Sequence, residues 1–313
     1  MTSDKEDSRF EQVGQKVAPQ SKLLRAWPLK GGVSAQVTAL ELQQPDGQSQ
    51  TMIVRRHGER DLQRNSQIAA DEFKLLQILQ ATGLAAPRPY YVDLSGEIFP
   101  TPYIVIEYIA GSTEIAEMQR SDCIQPLAAY LAKLHRVDCA KLDLAFLSQR
   151  TNGFGERPAK LDVTLDEDRI RTALEASWPL PQQNQAALLH GDFWPGNVLW
   201  KNGQLVAVID WEDAQVGDPL ADLANSRLEI LWAFGIDAMH GFTQHYQAMN
   251  PINFTNLAYW DLCAALRPAS KISEWGLDPP IEKAMRAAHR WFITQAFEKL
   301  AEITRKSSRT VGQ

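Results

Sequence analysis

Residues 190–218 read HGDFWPGNVLWKNGQLVAVIDWEDAQVGD, a stretch that sets Asp192, Asn197 and Asp210 along a turn, a short hairpin and a second turn. Phe193-Trp194-Pro195-Gly196 reads as a rigid turn between the first two polar groups. Residues 198–200 and 206–211 are strand-like runs around Lys201-Asn202-Gly203-Gln204, an Asn-Gly hairpin signal that returns Asp210 to the edge from which the segment set out. Taken singly, each of the three groups is more simply a helix cap or a turn former. Taken together, they supply the oxygen chemistry of phosphoryl transfer: a carboxylate to orient a hydroxyl and take its proton late, and an amide and a second carboxylate to hold Mg²⁺. The spacing supports this, because 197 minus 192 is five, the interval between Asp and Asn in kinase catalytic loops.

Upstream of this segment, residues 1–20 are polar, carry Gly14 and Pro19, and predict a flexible arm. Alternating, β-branched runs at 23–29, 33–42 and 51–55, with a turn at Pro45-Asp46-Gly47, predict a three-stranded meander. Ile68, Leu75, Leu76 and Leu79 repeat at helical spacing over 65–82, with Gly83 as the stop. Glu72 falls on that apolar face, four residues from both Ile68 and Leu76. An inward acid needs a cation, since a lone buried charge costs several kcal/mol or neutralises itself. Arg55 on the third strand is the candidate partner. Gly31-Gly32-Val33-Ser34 between two strands either lays backbone amides over phosphates or makes a plain hairpin. In the first case Arg55, held by Glu72, would reach the α and β phosphates.

Strands at 90–94 and 103–108 complete a small sheet, and beyond Ile109-Ala110-Gly111 the pattern turns helical at 122–137, 166–177, 220–234, 237–248, 255–266 and 280–302. The expected class is α+β, with a small antiparallel sheet lobe carrying one helix followed by a larger, mainly helical lobe. The boundaries are a flexible arm over 1–20, a nucleotide-binding lobe over 21–109, a catalytic and substrate lobe over 110–305 and a frayed tail over 306–313.

A chain of 313 residues can bury one large core or two lobes. Its net charge of -6 argues against nucleic acid or an anionic membrane as the main partner. Cys123, Cys139 and Cys263 are odd in number and form no CxxC pattern, so neither a disulfide framework nor a zinc site is indicated. The charged N-terminus and the lack of a long apolar run predict a cytoplasmic protein.

HGDFWPGNVLW, VIDWEDAQVGDPLADLA, IVIEYIAGS and YLAKLHRVD together resemble the aminoglycoside phosphotransferase and choline kinase family, small-molecule kinases with the two-lobed protein-kinase-like fold. The resemblance implies ATP, with GTP as an alternative, and Mg²⁺ as cofactors, and a small hydroxylated molecule as acceptor. It implies Asp192 as catalytic base, Asn197 and Asp210 as metal ligands, and His190 as a structural hydrogen-bonder. It also implies Glu107, Tyr108 and Ile109 as the hinge at the adenine edge, and Asp222 as the buried acid tying the catalytic loop to the next helix. The chain departs from the family in offering Arg55 or Arg56 where a Lys is common, and strand alternation favours Arg55 as the inward one. Trp211-Glu212 follows Asp210 in place of Phe-Gly, which removes protein-kinase style switching. A nucleotide-binding sensor without transfer, or a protein-kinase-like or GTP-preferring enzyme, are the alternatives. The acceptor's charge stays open. Trp194, Trp232, Trp260 and Trp275 beside Asp213, Asp218 and Asp261 suit an ammonium or fill a core, whereas Arg267 before Pro268 suits an acid.

Overall fold

The structure is a computed structural model that describes residues 2–29, 35–115, 120–151 and 154–310. It divides into two compact units, one of residues 1–112 and 206–212, the other of residues 113–205 and 213–313.

The first unit runs α1 (Thr2–Val17), β1 (Lys22–Pro28), β2 (Ala35–Gln43), β3 (Ser49–His57), α2 (Glu59–Arg64), α3 (Ile68–Thr82), β4 (Pro89–Asp93) and β5 (Tyr103–Glu107). Its five strands form one antiparallel sheet in the order β1-β2-β3-β5-β4. Period-two alternation gives the sheet two buried faces. Leu40, Leu42, Met52, Val54, Tyr103 and Val105 pack with Phe10 and Val13 of α1. Leu75, Leu76 and Leu79 of α3 are likewise buried, and α3 stops at Gly83 in the left-handed conformation, φ 68°.

The expected loose arm over 1–20 is therefore corrected. Residues 2–17 are a helix with Val13 0 % exposed, and burying its Phe10 and Val13 contributes roughly 1.5–3 kcal/mol each. Among the described residues this unit also carries three helices, where one was expected.

The second unit contains α4 (Arg120–His135), β6 (Gln149–Arg150), α5 (Glu167–Ser177), β7 (Ala187–Leu189) and β8 (Val198–Lys201). It continues with β9 (Gln204–Val208), whose last residues belong to the first unit, then β10 (Gln215–Gly217), α6 (Leu220–Phe234), α7 (Ile236–Met249), α8 (Leu257–Ala265) and α9 (Pro279–Thr310). The hairpin turn has Asn202 at φ 51° and Gly203 at φ 75°, the pairing the Asn-Gly signal demands. Helices α6, α8 and α9 pack on one another, with α7 against α4 and α6. Helix α9 reaches Thr310, so the chain remains helical past the expected boundary at 305. The lobe boundary also moves. The first unit extends to Ser112 and takes back residues 206–212, which places Asp210 in it.

A three-stranded sheet, β6-β10-β7, was not expected. Its middle strand pairs Gln215 with Leu189 and Gly217 with Arg150. This sheet fixes the point at which the loop beginning at His190 leaves β7.

Candidate active site

In the first unit, the odd positions of β3 put Arg55 and His57 on the face toward α3, and Arg56 on the other. Arg56 stacks its guanidinium 4.4 Å from the Phe99 ring centroid. Arg55 lies with Nε 3.2 Å from Glu72 Oε2, the expected pair, and its Nη2 donates to Asp210 Oδ1 at 2.5 Å and to Glu212 Oε2. Burial alone would lower the Arg55 pKa, but the three carboxylates raise it above the ordinary value. For Glu72, burial pushes upward, yet Arg55 and His57, whose Nε2 is 2.7 Å away, hold it below the usual carboxylate range.

Asp210 itself has φ 69°, a left-handed conformation that Asp tolerates better than most residues. The flanking chain is pinned. Val208 N donates to Ala85 O at 2.8 Å, and buried Trp211 donates Nε1 to Val208 O at 2.9 Å.

Glu107 closes β5, its amide donating to Arg88 O at 2.8 Å and its carboxylate accepting from Arg88 N at 3.2 Å. Tyr108 is exposed, and among the described residues no hydrogen bond involves the backbone of Tyr108 or Ile109. Gly31, Gly32 and Ser34 lie outside the described residues.

In the second unit, the 190–197 loop is tied down from α6. Buried Asp222 accepts from His190 N at 2.6 Å and Gly191 N at 2.9 Å, with His135 Nε2 3.4 Å away. Burial works against its charge, but these donors keep its pKa below the ordinary value. Ser226, one helical turn on, donates to Phe193 O at 2.9 Å, and Phe193 stacks on Tyr130. Gly191 is obligatory: its φ is +83°, and a Cβ there would sit 2.0 Å from Asp213 O. His190 is fully buried and accepts from Asp192 N through Nδ1 at 3.2 Å, a structural role.

Asn197 donates its amide to Asp192 O at 2.9 Å and to Asp192 Oδ2 at 3.2 Å, so it is the nitrogen end of the side chain that faces Asp192. The loop therefore brings together the acid and the amide read from their spacing.

The sequence did not reveal the cation that holds Asp192. Arg267 donates Nη2 to Asp192 Oδ1 at 2.6 Å and Nη1 to Gly191 O at 2.8 Å. Nor did it reveal Glu229, whose carboxyl is pushed up to about 7 by burial, against the pull of Arg267 and with the help of Asp192. A signal existed: Glu229 follows Asp222 by two turns of α6, on the same face.

The aromatic and acidic groups suggested for the acceptor divide. Trp260 is buried against Trp178, and Asp261 is bound bidentately by Arg227, with Nε–Oδ1 and Nη2–Oδ2 both at 3.0 Å. Trp232 packs on Trp275 and His289, and Asp218 accepts from Asn184 and Leu220 N. These are structural contacts. Trp194 stays exposed, its indole lying where a Cβ on Gly196 would fall.

No helix among the described residues is long and apolar enough to cross a membrane.

Residues 26–258 match the model of the phosphotransferase enzyme family. The chain is 26% identical over 183 residues to acyl-CoA dehydrogenase family member 11 of Homo sapiens, a match covering 51% of this chain and 23% of that protein. It therefore spans about a quarter of the length of that relative. It is also 36% identical over 64 residues to hygromycin-B 4-O-kinase of Escherichia coli, covering 20% of this chain and 18% of that one. Among solved structures, amicoumacin kinase hAmiN in complex with AMP-PNP, Ca²⁺ and Ami superposes with a TM-score of 0.61 at 13% identity, over 94% of this chain and 95% of that one. The likeness confirms the protein-kinase-like α+β fold. With the family model matching well over half of its residues, the chain belongs to the phosphotransferase enzyme family.

Proposed function

We propose that the enzyme transfers the γ-phosphoryl group of ATP to a hydroxyl of a small molecule, with Asp192 as base and with Asn197 and Asp210 as the Mg²⁺ ligands. The observation that carries this reading is the 190–197 loop, in which Asp222 fixes the backbone ahead of Asp192 and Asn197 bonds back to Asp192. A carboxylate and an amide are the hard oxygen donors that Mg²⁺ takes, with waters completing the shell. The hAmiN structure, which holds AMP-PNP and Ca²⁺, supports the choice of nucleotide and divalent cation. Asn197 and Asp210 would hold such a metal, which would neutralise charge on the phosphate groups.

The chain's own residues do the rest. Arg267 holds one Asp192 oxygen and Asn197 the other, so the carboxylate is oriented before an acceptor arrives. It accepts a hydrogen bond from the acceptor hydroxyl and takes that proton as the new O–P bond forms and the bond between the γ-phosphorus and the β-phosphate oxygen breaks, releasing ADP. Arg55 addresses the α and β phosphates, positioned by Glu72, while backbone groups at Tyr108 and Ile109 meet the adenine edge.

The test is a thermal-shift titration with MgATP and MgGTP, followed by nucleotide consumption against a panel of alcohols. Asp192→Asn lowers turnover by about 10²- to 10⁴-fold and spares the MgATP shift, and Asp210→Ala removes its Mg²⁺-dependent part. Undiminished turnover in Asp192→Asn removes that residue from its role. MgATP binding with no turnover on any acceptor would make the protein a nucleotide sensor.

A further inference from the structure

Two arginines of the second unit close on the 190–197 loop, and among the described residues only Arg267 has a counter-ion. Arg267 holds Asp192 and Gly191 O and keeps about a third of its side chain, 34%, exposed, so it has N–H groups to spare. Arg150 ends β6, and its side chain reaches along the short sheet to Gln215, whose Oε1 accepts from Nη1 at a long 3.4 Å. Gln215 is paired with Leu189, the residue that leads into His190-Gly191-Asp192. Arg150 therefore stands beside the base of the same loop. Among the described residues it makes no ion pair, and its Nε is buried with no hydrogen-bond partner.

Such a guanidinium is expensive, since an unbonded buried donor forfeits its hydration without replacement. Burial, and then repulsion by Arg267, push its pKa below the ordinary value; Asp213 and Asp222 attract it without touching it. Three of the nearby acids are already committed. Asp222 accepts the loop amides, Asp192 is engaged by Arg267 and Asn197, and Glu229 holds its proton up to about pH 7. Among the described residues, none of these acids bonds Arg150.

We propose that Arg150 and Arg267 form an anion pocket for the acceptor, so that the alcohol phosphorylated here also carries a carboxylate or a phosphate ester. A planar anion accepts two parallel bonds from a guanidinium and would satisfy the idle Arg150 donors. An amino alcohol would instead meet a bare positive charge. The inference rests on the phosphotransferase reading above, because it places the acceptor's hydroxyl at Asp192.

Two measurements separate the two claims. In the first, the thermal stability of the wild type is followed with inorganic phosphate, lactate, glycerate and glycerol 3-phosphate, and with choline, ethanolamine and kanamycin. Anions raise the melting temperature of the wild type, raise it less in Arg150→Lys and leave Arg150→Gln unmoved; the Lys variant guards against a variant that merely folds badly. In the second, MgATP-dependent phosphorylation is measured on the hydroxylated members of the panel. Anionic alcohols are the substrates, and Arg150→Gln raises their KM by about 10- to 100-fold with kcat little changed, the loss of one or two charge-assisted hydrogen bonds.

The anion pocket is overturned if no anion stabilises the wild type, if Arg150→Gln responds like the wild type, if cationic acceptors are preferred, or if the KM penalty falls on ATP. Anion binding that vanishes in Arg150→Gln, with no phosphorylation of any acceptor, would sustain the pocket and count against phosphoryl transfer.

Discussion

Arg55 and Arg150 are both arginines on strands of small sheets, yet their surroundings are opposites. Arg55 is ringed by Glu72, Asp210 and Glu212, three carboxylates to one guanidinium. Among the described residues, Arg150 touches none and leaves Nε unbonded. A folded chain tolerates such imbalance only at a cost of several kcal/mol, so each deficit indicates what the region is built to receive. The first carries more negative charge than its arginine balances. The second has room for an anion.

The sharpest way to break this contrast is to delete both charges alike. Arg55→Met strands three carboxylates and costs about 3–5 kcal/mol in urea unfolding, as removal of one partner from a buried pair does. A cost below about 1 kcal/mol would mean the ring is not held by its arginine.

Next in size is Asp222→Asn, which keeps the shape but removes the charge that accepts two loop amides, for about 2–3 kcal/mol at neutral pH. The sign with pH follows from the depressed folded pKa. The contribution is present above the ordinary carboxylate value of 3.8 and is lost as pH falls through the lower folded value, so the variant loses part of the acid limb of the stability curve.

Glu229→Gln works in the other direction. A carboxyl raised from 4.5 to about 7 costs stability progressively as pH rises across that interval, because the unfolded chain ionises first. Since Glu229 keeps part of its surface in water, the variant gains about 1–2 kcal/mol over wild type at pH 8 and nothing at pH 4, read from paired melts. Equal gains at both pH values would remove the carboxyl as the cause.

The smallest effect is the mirror of the first: Arg150→Met is neutral or stabilising by up to about 1 kcal/mol, because it removes a partly buried charge that no described carboxylate bonds. If Arg150→Met costs as much as Arg55→Met, the two regions do not differ as described.

Much of this was legible in the sequence, for physical reasons that vary by element. The long helices and five larger strands carry enough residues for a period to declare itself, and the Glu72–Arg55 pair follows from an acid on an apolar helix face. The β6-β10-β7 sheet escaped because strands of two or three residues have no alternation to read. Helix α1 escaped because its charged residues mask Phe10, Val13 and Val17, whose spacing was a helical signal. Asp192 and Asn197 were readable from five residues of local chain. Arg267, 75 residues from Asp192, and Glu212, 157 from Arg55, were not, since only the fold brings them near.

Helix α1 has a practical side. Gly14 lies so close to Leu42 that a Cβ would come within 2.9 Å of its methyl group, and Phe10 packs on Phe99 with ring centroids 5.3 Å apart. Anyone trimming the charged leading segment to improve expression, on the reasonable view that it is a dispensable tail, would uncover Leu42 and Phe99 and invite aggregation. Fusion partners are better joined ahead of that helix than substituted for it.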